Sequence, residues 1–331
     1  MKKLLSLVLC TLLLACAVLG CGEAADNVSS TPAPTPVTMR IAGLKGPTSM
    51  GLVKVMEDNE NGKAANNYEF TVAGSADEIT PLLTKGELDI AAVPANLASV
   101  LYNKTEGAIQ LLAVNTLGVV YITEKGDSIN SLADLKGKTI YATGKGSTPE
   151  YALRYILSEN GIDPDKDVTI EWKSEPTEVV ALLKNAPTGV AMLPQPYVTV
   201  AQTSVEGLRI AVDLNSEWEK LDNGSLFLTG VLVARKAFVE ENKAAVNEFL
   251  KEYKASTEYV NANVEEAATL VEKVGIVKAA VATKAIPYCN ITYIDGAEMK
   301  TAVAGYLKVL FDLNPASVGG ALPEDSFYYE K

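Results

Sequence analysis

The chain is 331 residues long and acidic, with 41 aspartate and glutamate residues, 29 lysine and arginine residues and a formal net charge of −12. It contains no histidine, which excludes histidine-ligated metal sites, Ser/His/Asp and Cys/His triads, and acid–base catalysis by histidine. The negative charge makes nucleic acid and anionic lipid poor candidates as partners.

The first 20 residues are predicted to be a targeting segment. Two lysines precede Leu4–Leu14, which is almost wholly apolar but short for a membrane span. The sequence Val18–Cys21 resembles a bacterial lipobox, which would place lipidated Cys21 at the mature N-terminus. The rival site is Leu13–Cys16, and an ordinary secretory signal without lipid is a further alternative.

Residues 21–38 are predicted to be a disordered tether because proline, serine and threonine dominate them and cannot build a core. The folded part then begins near Met39 and leaves about 290 residues, which suits two modest domains. Cys289 would be the one cysteine left beside the lipidated residue, so no intrachain disulfide is predicted.

The elements of the first part alternate between strand and helix. A long strand over Ile109–Ile122 is predicted to cross from one domain to the other. The predicted strands before it are Arg40–Leu44, Tyr68–Ala73 and Leu88–Val93. The predicted helices are Thr48–Glu57, a helix that begins at a cap formed by Ser75 or Asp77 and ends at Lys85, and Ala95–Tyr102.

The second part repeats this alternation, which indicates parallel sheets. Domain 1 is predicted to comprise residues 39–122 and 229–331, and domain 2 residues 123–228. The predicted strands are Thr139–Ala142, Val168–Trp172, Val190–Leu193, Leu208–Val212 and the second crossing Leu226–Ala234. The predicted helices are Pro149–Asn160, Glu175–Lys184, Pro196–Thr203, Lys236–Asn263, Val264–Val274 and Asp295–Asp312.

The two parts share one layout at an offset of 100 residues. Lys45-Gly46 and Thr48 align with Lys145-Gly146 and Thr148, and each copy later has an apolar strand that ends at a proline. A strand, a glycine-rich turn and a helix start direct free backbone N–H groups at one spot, which suits an anion or a polar head group. Chance similarity between two α/β segments remains the alternative.

These features together resemble the substrate-binding lipoprotein of an ABC importer. The segment SLADLKG at 131–137 resembles a phrase common at the start of the second domain in such proteins. GELDIAAVP at 86–94 and GVAMLPQPY at 189–197 resemble the SsuA/THI5-like group, which includes nitrate, sulfonate, taurine and thiamine-precursor binders. The resemblance covers about Met39–Leu310.

The resemblance implies an α/β, two-domain fold of the type II periplasmic-binding-protein class. Each domain is expected to be a mostly parallel sheet flanked by helices, with two interdomain crossings and a ligand between the domains. The implied partners are a small molecule, an ABC permease with its ATPase, and the membrane through the lipid, with the protein itself a monomer on the extracytoplasmic face.

Enzymes with the same fold are an alternative that the residues disfavour. Pyrimidine synthases of this type use histidine, which the chain lacks, and related menaquinone-pathway enzymes look cytosolic, whereas this chain has an export signal. We therefore predict a binding protein without catalytic residues, metal or cofactor. A sensor subunit and, less favoured, a lyase on the same fold remain alternatives.

Ligands of open α/β sheets bind outside the carboxyl ends of the strands, which selects the candidate residues. The residues predicted to bind ligand are Lys45, Pro47, Thr48, Ser49, Gly74, Ser75, Asp77, Asn96, Asn115, Thr116, Gly144, Gly146, Ser147, Thr148, Gln195 and Tyr197.

Each candidate also has a structural alternative. Thr48, Thr148 and Asp77 suit helix caps, and the loop lysines suit solvent-exposed positions. Tyr197 suits core packing, although Tyr197, Tyr288 and Tyr293 could also stack on a flat ligand. A phosphate loop of the Walker type is excluded because Gly146 follows Lys145 where that pattern needs serine or threonine.

Overall fold

The computed structural model describes residues 36–331, so the predicted signal segment, Cys21 and most of the tether lie outside the described residues. The strands are β1 (Thr38–Leu44), β2 (Asn67–Ala73), β3 (Ile90–Pro94), β4 (Ile109–Leu117), β5 (Val120–Lys125), β6 (Thr139–Ala142), β7 (Thr169–Trp172), β8 (Gly189–Pro194), β9 (Leu208–Asp213), β10 (Leu228–Arg235) and β11 (Ile291–Ile294).

Helices connect most of these strands, as the alternating pattern predicted. The α-helices are α1 (Pro47–Met50), α2 (Val53–Glu60), α3 (Ala76–Thr84), α4 (Ala95–Lys104), α5 (Thr148–Glu159), α6 (Pro176–Asn185), α7 (Tyr197–Ser204), α8 (Leu214–Lys220), α9 (Lys236–Glu241), α10 (Lys243–Ala262), α11 (Val264–Lys273), α12 (Ala279–Ala285) and α13 (Gly296–Leu313). Short 3-10 helices occupy Leu132–Leu135, Ile286–Tyr288, Pro315–Val318 and Asp325–Phe327. None of the helices described here is long and apolar enough to cross a membrane.

The strands form two sheets. Sheet A has the order β11-β4-β10-β3-β1-β2, and sheet B has the order β7-β6-β8-β5-β9. In sheet A, β10 and β11 run against the other strands, and in sheet B only β5 does. Both sheets are flanked by helices, which confirms the predicted fold class. We call sheet A with its helices lobe A, and sheet B with its helices lobe B.

The two crossings enter the sheets in equivalent places. The chain leaves sheet A after β4 and enters sheet B as β5, where Val120 pairs with Pro194 at the end of β8. It returns as β10, where Gly230 pairs with Pro94 at the end of β3. The predicted division into domains at 122 and 228 stays a prediction, because Pro36–Lys331 clusters as one compact unit.

An aromatic cluster packs between the lobes beside the second crossing. Trp218 of α8 stacks on Phe227 at 5.2 Å between ring centroids, and it meets Tyr306 of α13 at 5.4 Å. Tyr155 of α5 lies 5.0 Å from the same indole. Because Tyr306 belongs to lobe A and Tyr155 to lobe B, one apolar core continues from lobe to lobe.

The predicted helix Thr48–Glu57 is wrong in one respect, because the structure breaks it into α1 and α2. The Ser256 hydroxyl of α10 donates to Gly51 O at 2.6 Å and accepts from Val55 N at 3.3 Å. It therefore takes the two groups that would bond to each other in a continuous helix. A contact from 205 residues away gives no local sequence signal.

The other differences also concern boundaries. The predicted strand Ile109–Ile122 is two strands in different sheets, separated at Gly118–Val119, and the predicted helix Lys236–Asn263 is broken at Asn242 into α9 and α10. Besides the short 3-10 helices, three elements were not predicted: α8, α12 and β11. They are short, of 4 to 7 residues, so their periodicity is weak and tertiary packing decides them.

A buried carboxylate, Asp89, pairs with two arginines at the amino end of β3 in sheet A. The Asp89 side chain is 3% exposed and accepts hydrogen bonds from Arg40 at 2.7 and 2.9 Å and from Arg235 at 2.6 Å. Burial alone would raise the pKa of Asp89, but the hydrogen bonds from the two guanidinium groups outweigh it, and the pKa is lowered. Asp89 therefore stabilises the fold above the pKa of an unfolded aspartate, about 3.9, and loses that contribution as pH falls.

We predict that Asp89→Asn lowers the free energy of unfolding by about 3–5 kcal/mol at pH 7, because it leaves two arginines without their buried partner. The measurement is urea unfolding at pH 7 and at about pH 2.5, below the pKa of an unfolded aspartate, where the difference from wild type should shrink. Asp312→Asn is the control, since Asp312 and its partner Lys308 are 57% and 59% exposed and the change should cost under about 1 kcal/mol. Equal losses for both variants would contradict the assignment.

Candidate ligand-binding site

The ends of three neighbouring strands in lobe A bring three of the predicted residues together. Gly230 of β10 pairs with Pro94 of β3 on one side and with Thr116 of β4 on the other. A Cβ atom added at Gly230 would lie 2.6 Å from Thr48 Cγ2 and 2.6 Å from Asn115 Oδ1. Thr48, Asn115 and Thr116 therefore meet around Gly230, and only glycine permits that approach.

Asn115 and three further side chains of lobe A carry buried polar atoms that have no hydrogen-bond partner among residues 36–331. Asn115 is fully buried, its Oδ1 accepts from Thr116 Oγ1 at 3.0 Å, and its Nδ2 has no hydrogen-bond partner among residues 36–331. The same holds within the described chain for Ser49 Oγ, Tyr253 Oη and Thr257 Oγ1. Tyr253 lies next to Asn115 and Thr257, and burial raises its pKa, so its hydroxyl remains protonated. Each such group costs about 1–3 kcal/mol until it meets a partner.

The two lobes touch at their helix starts through Asn96 and Thr148. The Thr148 hydroxyl donates to Asn96 Oδ1 at 3.3 Å, and Asn96 N donates to Thr148 Oγ1 at 3.4 Å. Asn96 Nδ2 donates to Gly146 O at 3.4 Å and to Ser317 O at 2.9 Å. Asn96 and Thr148 are both 0% exposed, so this bridge is shielded from solvent.

The loop before α5 uses most of its polar groups internally. Ser147 Oγ donates to Gly144 O at 2.7 Å, and Gly146 N donates to Glu150 Oε2 at 2.7 Å. Gly144 and Gly146 have φ values of 81° and 73°, which other residues rarely adopt. These contacts shape the loop and leave the Gly146 carbonyl and the Thr148 hydroxyl as its contacts with Asn96 of lobe A.

The turn before α3 approaches lobe B through Glu175. A Cβ at Gly74 would lie 2.8 Å from Glu175 Oε1. Glu78 Oε1 accepts from Gly74 N at 3.0 Å and from Ser75 N at 2.9 Å, so these N–H groups are already bonded. Ser75 thus acts as a helix cap, the structural alternative considered for this region.

The remaining predicted residues lie in different surroundings, some exposed to solvent and some buried in a lobe. Lys45 and Asp77 are exposed, and Lys145 is exposed in the second copy of the motif. Pro47 is buried in the first turn of α1. Tyr197 packs in the core of lobe B, where burial raises its pKa.

Gln195 connects the end of β8 to the first crossing. Its backbone N donates to Val119 O at 2.9 Å, and its Oε1 accepts from Thr199 Oγ1 at 2.9 Å. The side chain also lines a cavity of about 430 Å³ that includes residues of both lobes.

The sequence-based prediction missed Gly230, Glu175, Tyr253 and Thr257. Gly230 had a usable signal, because an isolated glycine in an apolar strand often marks a close approach of another chain segment. Tyr253 and Thr257 lie on α10, and their spacing of four residues looks like ordinary core packing.

Comparison with known proteins identifies the family. Residues 63–285 match the family described as "ABC transporter, phosphonate, periplasmic substrate-binding protein". The chain belongs to this family. Of its relatives, a protein of Brucella abortus named only as a binding protein is 24% identical over 204 residues, which cover 60% of this chain and 61% of the relative's length.

Solved structures of other proteins share the fold of this chain. The crystal structure of an ABC transporter from Parabacteroides distasonis is 27% identical and has a TM-score of 0.73, with 89% of this chain and 99% of that chain covered. The alkanesulfonate-binding protein SsuA from Xanthomonas axonopodis pv. citri bound to MOPS is 15% identical and has a TM-score of 0.69, covering 88% and 96%. These likenesses confirm the predicted resemblance to SsuA-like binding proteins and the fold class.

We predict that Gly230→Ala displaces Thr48 and Asn115 and lowers the free energy of unfolding by about 1–3 kcal/mol through overpacking. The measurement is thermal and urea unfolding of the purified protein.

The control for this change is Gly46→Ala. Gly46 has an extended φ of 172°, and a Cβ there would meet nothing within 4 Å, so its stability should stay within about 0.5 kcal/mol of wild type. A Gly230→Ala protein as stable as the control would show that the approach of Thr48 and Asn115 is not tight.

Proposed function

We propose that this protein is the lipid-anchored, extracytoplasmic solute-binding subunit of an ABC importer, and that it captures one small organic molecule between its lobes. The observation that supports this best is the bridge between Asn96 and Thr148. It joins helix starts from two sheets at the carboxyl ends of their strands, which is where ligands of open α/β sheets bind. A ligand that replaces this direct contact would be enclosed by hinged closure of the lobes.

The chemistry of the strand ends favours a ligand with an acidic or polar oxygen-rich group. Neutral hydroxyls and amides lie at these ends, those of Thr48, Asn115 and Thr116 around Gly230 and those of Asn96 and Thr148 at the bridge. Such groups, together with helix N-termini, hydrogen-bond sulfonate, phosphonate and carboxylate oxygens. The phosphonate family and the sulfonate-binding structural neighbour are consistent with this class.

The proposal includes the partners and the domain organisation. A permease with its ATPase would receive the loaded protein, and the lobes would act as domains with the predicted boundaries, 39–122 plus 229–331 and 123–228. We take the protein to be a monomeric binding protein without cofactor and not an enzyme, so turnover of any ligand by the purified protein would contradict the proposal. The sensor alternative differs only in its partner, and it would be favoured if the adjacent genes encode a receptor and no permease.

We predict that at least one of methylphosphonate, methanesulfonate, acetate and their aromatic analogues raises the melting temperature of the wild-type protein. Thr148→Val keeps the shape of the side chain and removes its hydroxyl, so the affinity for that compound should fall about tenfold. Thermal shift followed by isothermal titration calorimetry measures both effects.

Thr269→Val is the matched control, because Thr269 lies on the exposed face of α11 and its hydroxyl donates to Glu265 O of the same helix. It should bind like wild type. A wild-type protein that responds to none of the compounds, or a Thr148→Val protein that binds as tightly as the control, would argue against a ligand at the bridge.

The lipid anchor can be tested separately. We expect that Cys21→Ser abolishes labelling by radioactive palmitate and releases the protein from the membrane fraction, because the acylated thiol is lost, whereas Cys16→Ser leaves both unchanged. Loss of labelling in Cys16→Ser alone would move the lipidated residue to the rival site, Cys16. A wild-type protein that palmitate does not label would contradict the anchor.

A further inference from the structure

A cavity separate from the Asn96–Thr148 bridge opens along the junction of the lobes. It has a volume of about 430 Å³, which is within the range of small-molecule pockets. We call it the lateral cavity, and residues from both lobes line it, among them Tyr121, Gln195, Thr199, Gln202, Lys284 and Tyr288. The first four belong to lobe B, and the last two follow α11 in lobe A, so an occupant would contact both lobes.

One cation stands in the lateral cavity without a counter-ion. Lys284 is exposed, and no carboxylate within residues 36–331 forms a salt bridge with it. Asp213 is a carboxylate close to Tyr121, but it forms no salt bridge with Lys284 among the described residues. Its oxygens accept hydrogen bonds from Asn215 N at 2.9 Å and from Ser216 Oγ at 3.2 Å. A protein with a net charge of −12 therefore presents a free ammonium group to this cavity.

Two tyrosines provide flat walls. Tyr288 is 60% exposed, which is unusual for a large aromatic side chain in this protein, and it lies at the end of the 3-10 helix Ile286–Tyr288. Tyr121 is 7% exposed, and burial raises its pKa to about 12, so its hydroxyl is neutral and can donate. An exposed ring beside a cavity offers a face on which a planar ligand can stack.

Neutral polar groups complete the lining. Gln195 uses its Oε1 for Thr199, and its Nε2 donates to no residue in the described part of the chain. The Gln202 side chain likewise forms no hydrogen bond within residues 36–331. These amides can bind oxygen atoms of a ligand that Lys284 attracts.

The wall of the cavity is also tied to the hinge. Asn290, two residues after Tyr288, donates from Nδ2 to Gly118 O, and its carbonyl accepts from Leu117 N at 3.1 Å. Gly118 and Val119 are the first crossing, and Gln195 N is bonded to Val119 O. Movement of the lobes at this crossing therefore changes the distance between Tyr288 and Gln195.

We propose that the lateral cavity is a binding site for a small, flat organic anion, held by the Lys284 ammonium, the Gln195 and Gln202 amides and the face of Tyr288. This site is distinct from the bridge between Asn96 and Thr148. Because its walls come from both lobes, an occupant stabilises the closed arrangement.

The test uses probes that separate charge from shape: benzenesulfonate, methanesulfonate and benzyl alcohol, titrated by calorimetry into the full-length protein. Benzenesulfonate should bind at least about tenfold more tightly than either of the other two, because only it offers both an anion and a ring. Phenylphosphonate serves as a second aromatic anion.

Variants assign the binding to the cavity. Lys284→Gln should weaken benzenesulfonate about tenfold and leave benzyl alcohol unchanged, and Tyr288→Ala should weaken benzenesulfonate about fivefold whereas Tyr288→Phe keeps it. Lys104→Gln is the matched control, since Lys104 is an exposed lysine in the last turn of α4 and removes the same charge. It should bind benzenesulfonate like wild type.

The outcomes separate this site from the bridge. Weaker benzenesulfonate binding in Lys284→Gln, with wild-type binding in Lys104→Gln, supports the lateral cavity. Saturable binding that Thr148→Val weakens and Lys284→Gln does not would overturn it and leave the proposed function intact. Absence of saturable binding by both aromatic anions also overturns it, and the non-aromatic compounds still test the bridge.

Discussion

The two antiparallel strands β5 and β10 determine where the rest of the structure lies. Each is the continuation of a crossing, and each enters its new sheet beside the strand that ends in proline, with Val120 opposite Pro194 and Gly230 opposite Pro94. Backbone hydrogen bonds along these strands hold the carboxyl ends of both sheets at the crossings. The start of α4, which follows Pro94, then faces the start of α5, which follows β6, and Asn96 can reach Thr148.

Charge is distributed along the sheets in a complementary way. Asp89, just before β3, is paired with two arginines, and Glu124, opposite the start of β8, is paired with Arg209. Both carboxylates thus lie at the amino ends of the central parallel strands, away from the bridge. Burial alone would raise the pKa of Glu124, but hydrogen bonds from Ser128, Ile129 and Arg209 lower it. The opposite ends carry the neutral hydroxyls and amides of the bridge and of the cluster around Gly230, together with the carboxylates Glu78, Glu150 and Glu175. Glu78 and Glu150 accept hydrogen bonds from backbone N–H groups there.

The lobes are joined by more than their crossings. The aromatic cluster of Trp218, Phe227 and Tyr306 makes the core continuous on one side of the junction. On another side the junction is open, with Tyr288 exposed beside the lateral cavity. A junction that is apolar and packed on one side and polar and open on the other suits hinged movement about the packed side, because apolar contacts resist separation more than solvated ones.

The sequence by itself determined the alternation of strands and helices, the parallel direction of most strands, the repeat at an offset of 100 residues and the strand ends at which Thr48, Asn96, Asn115 and Thr148 lie. These depend on local patterns, namely apolar periodicity, glycine turns and prolines after strands. Tertiary structure alone decided which of those residues meet, because Asn96 reaches Thr148 only when two sheets are docked. It also decided that Ser256 splits the first helix, and that Lys284 and Tyr288 lie beside Gln195. The physical reason is that each of these is a contact between segments far apart in the chain, 52 residues for Asn96 and Thr148 and 205 for Gly51 and Ser256, formed by hydrogen bonds and packing that single-residue preferences do not encode.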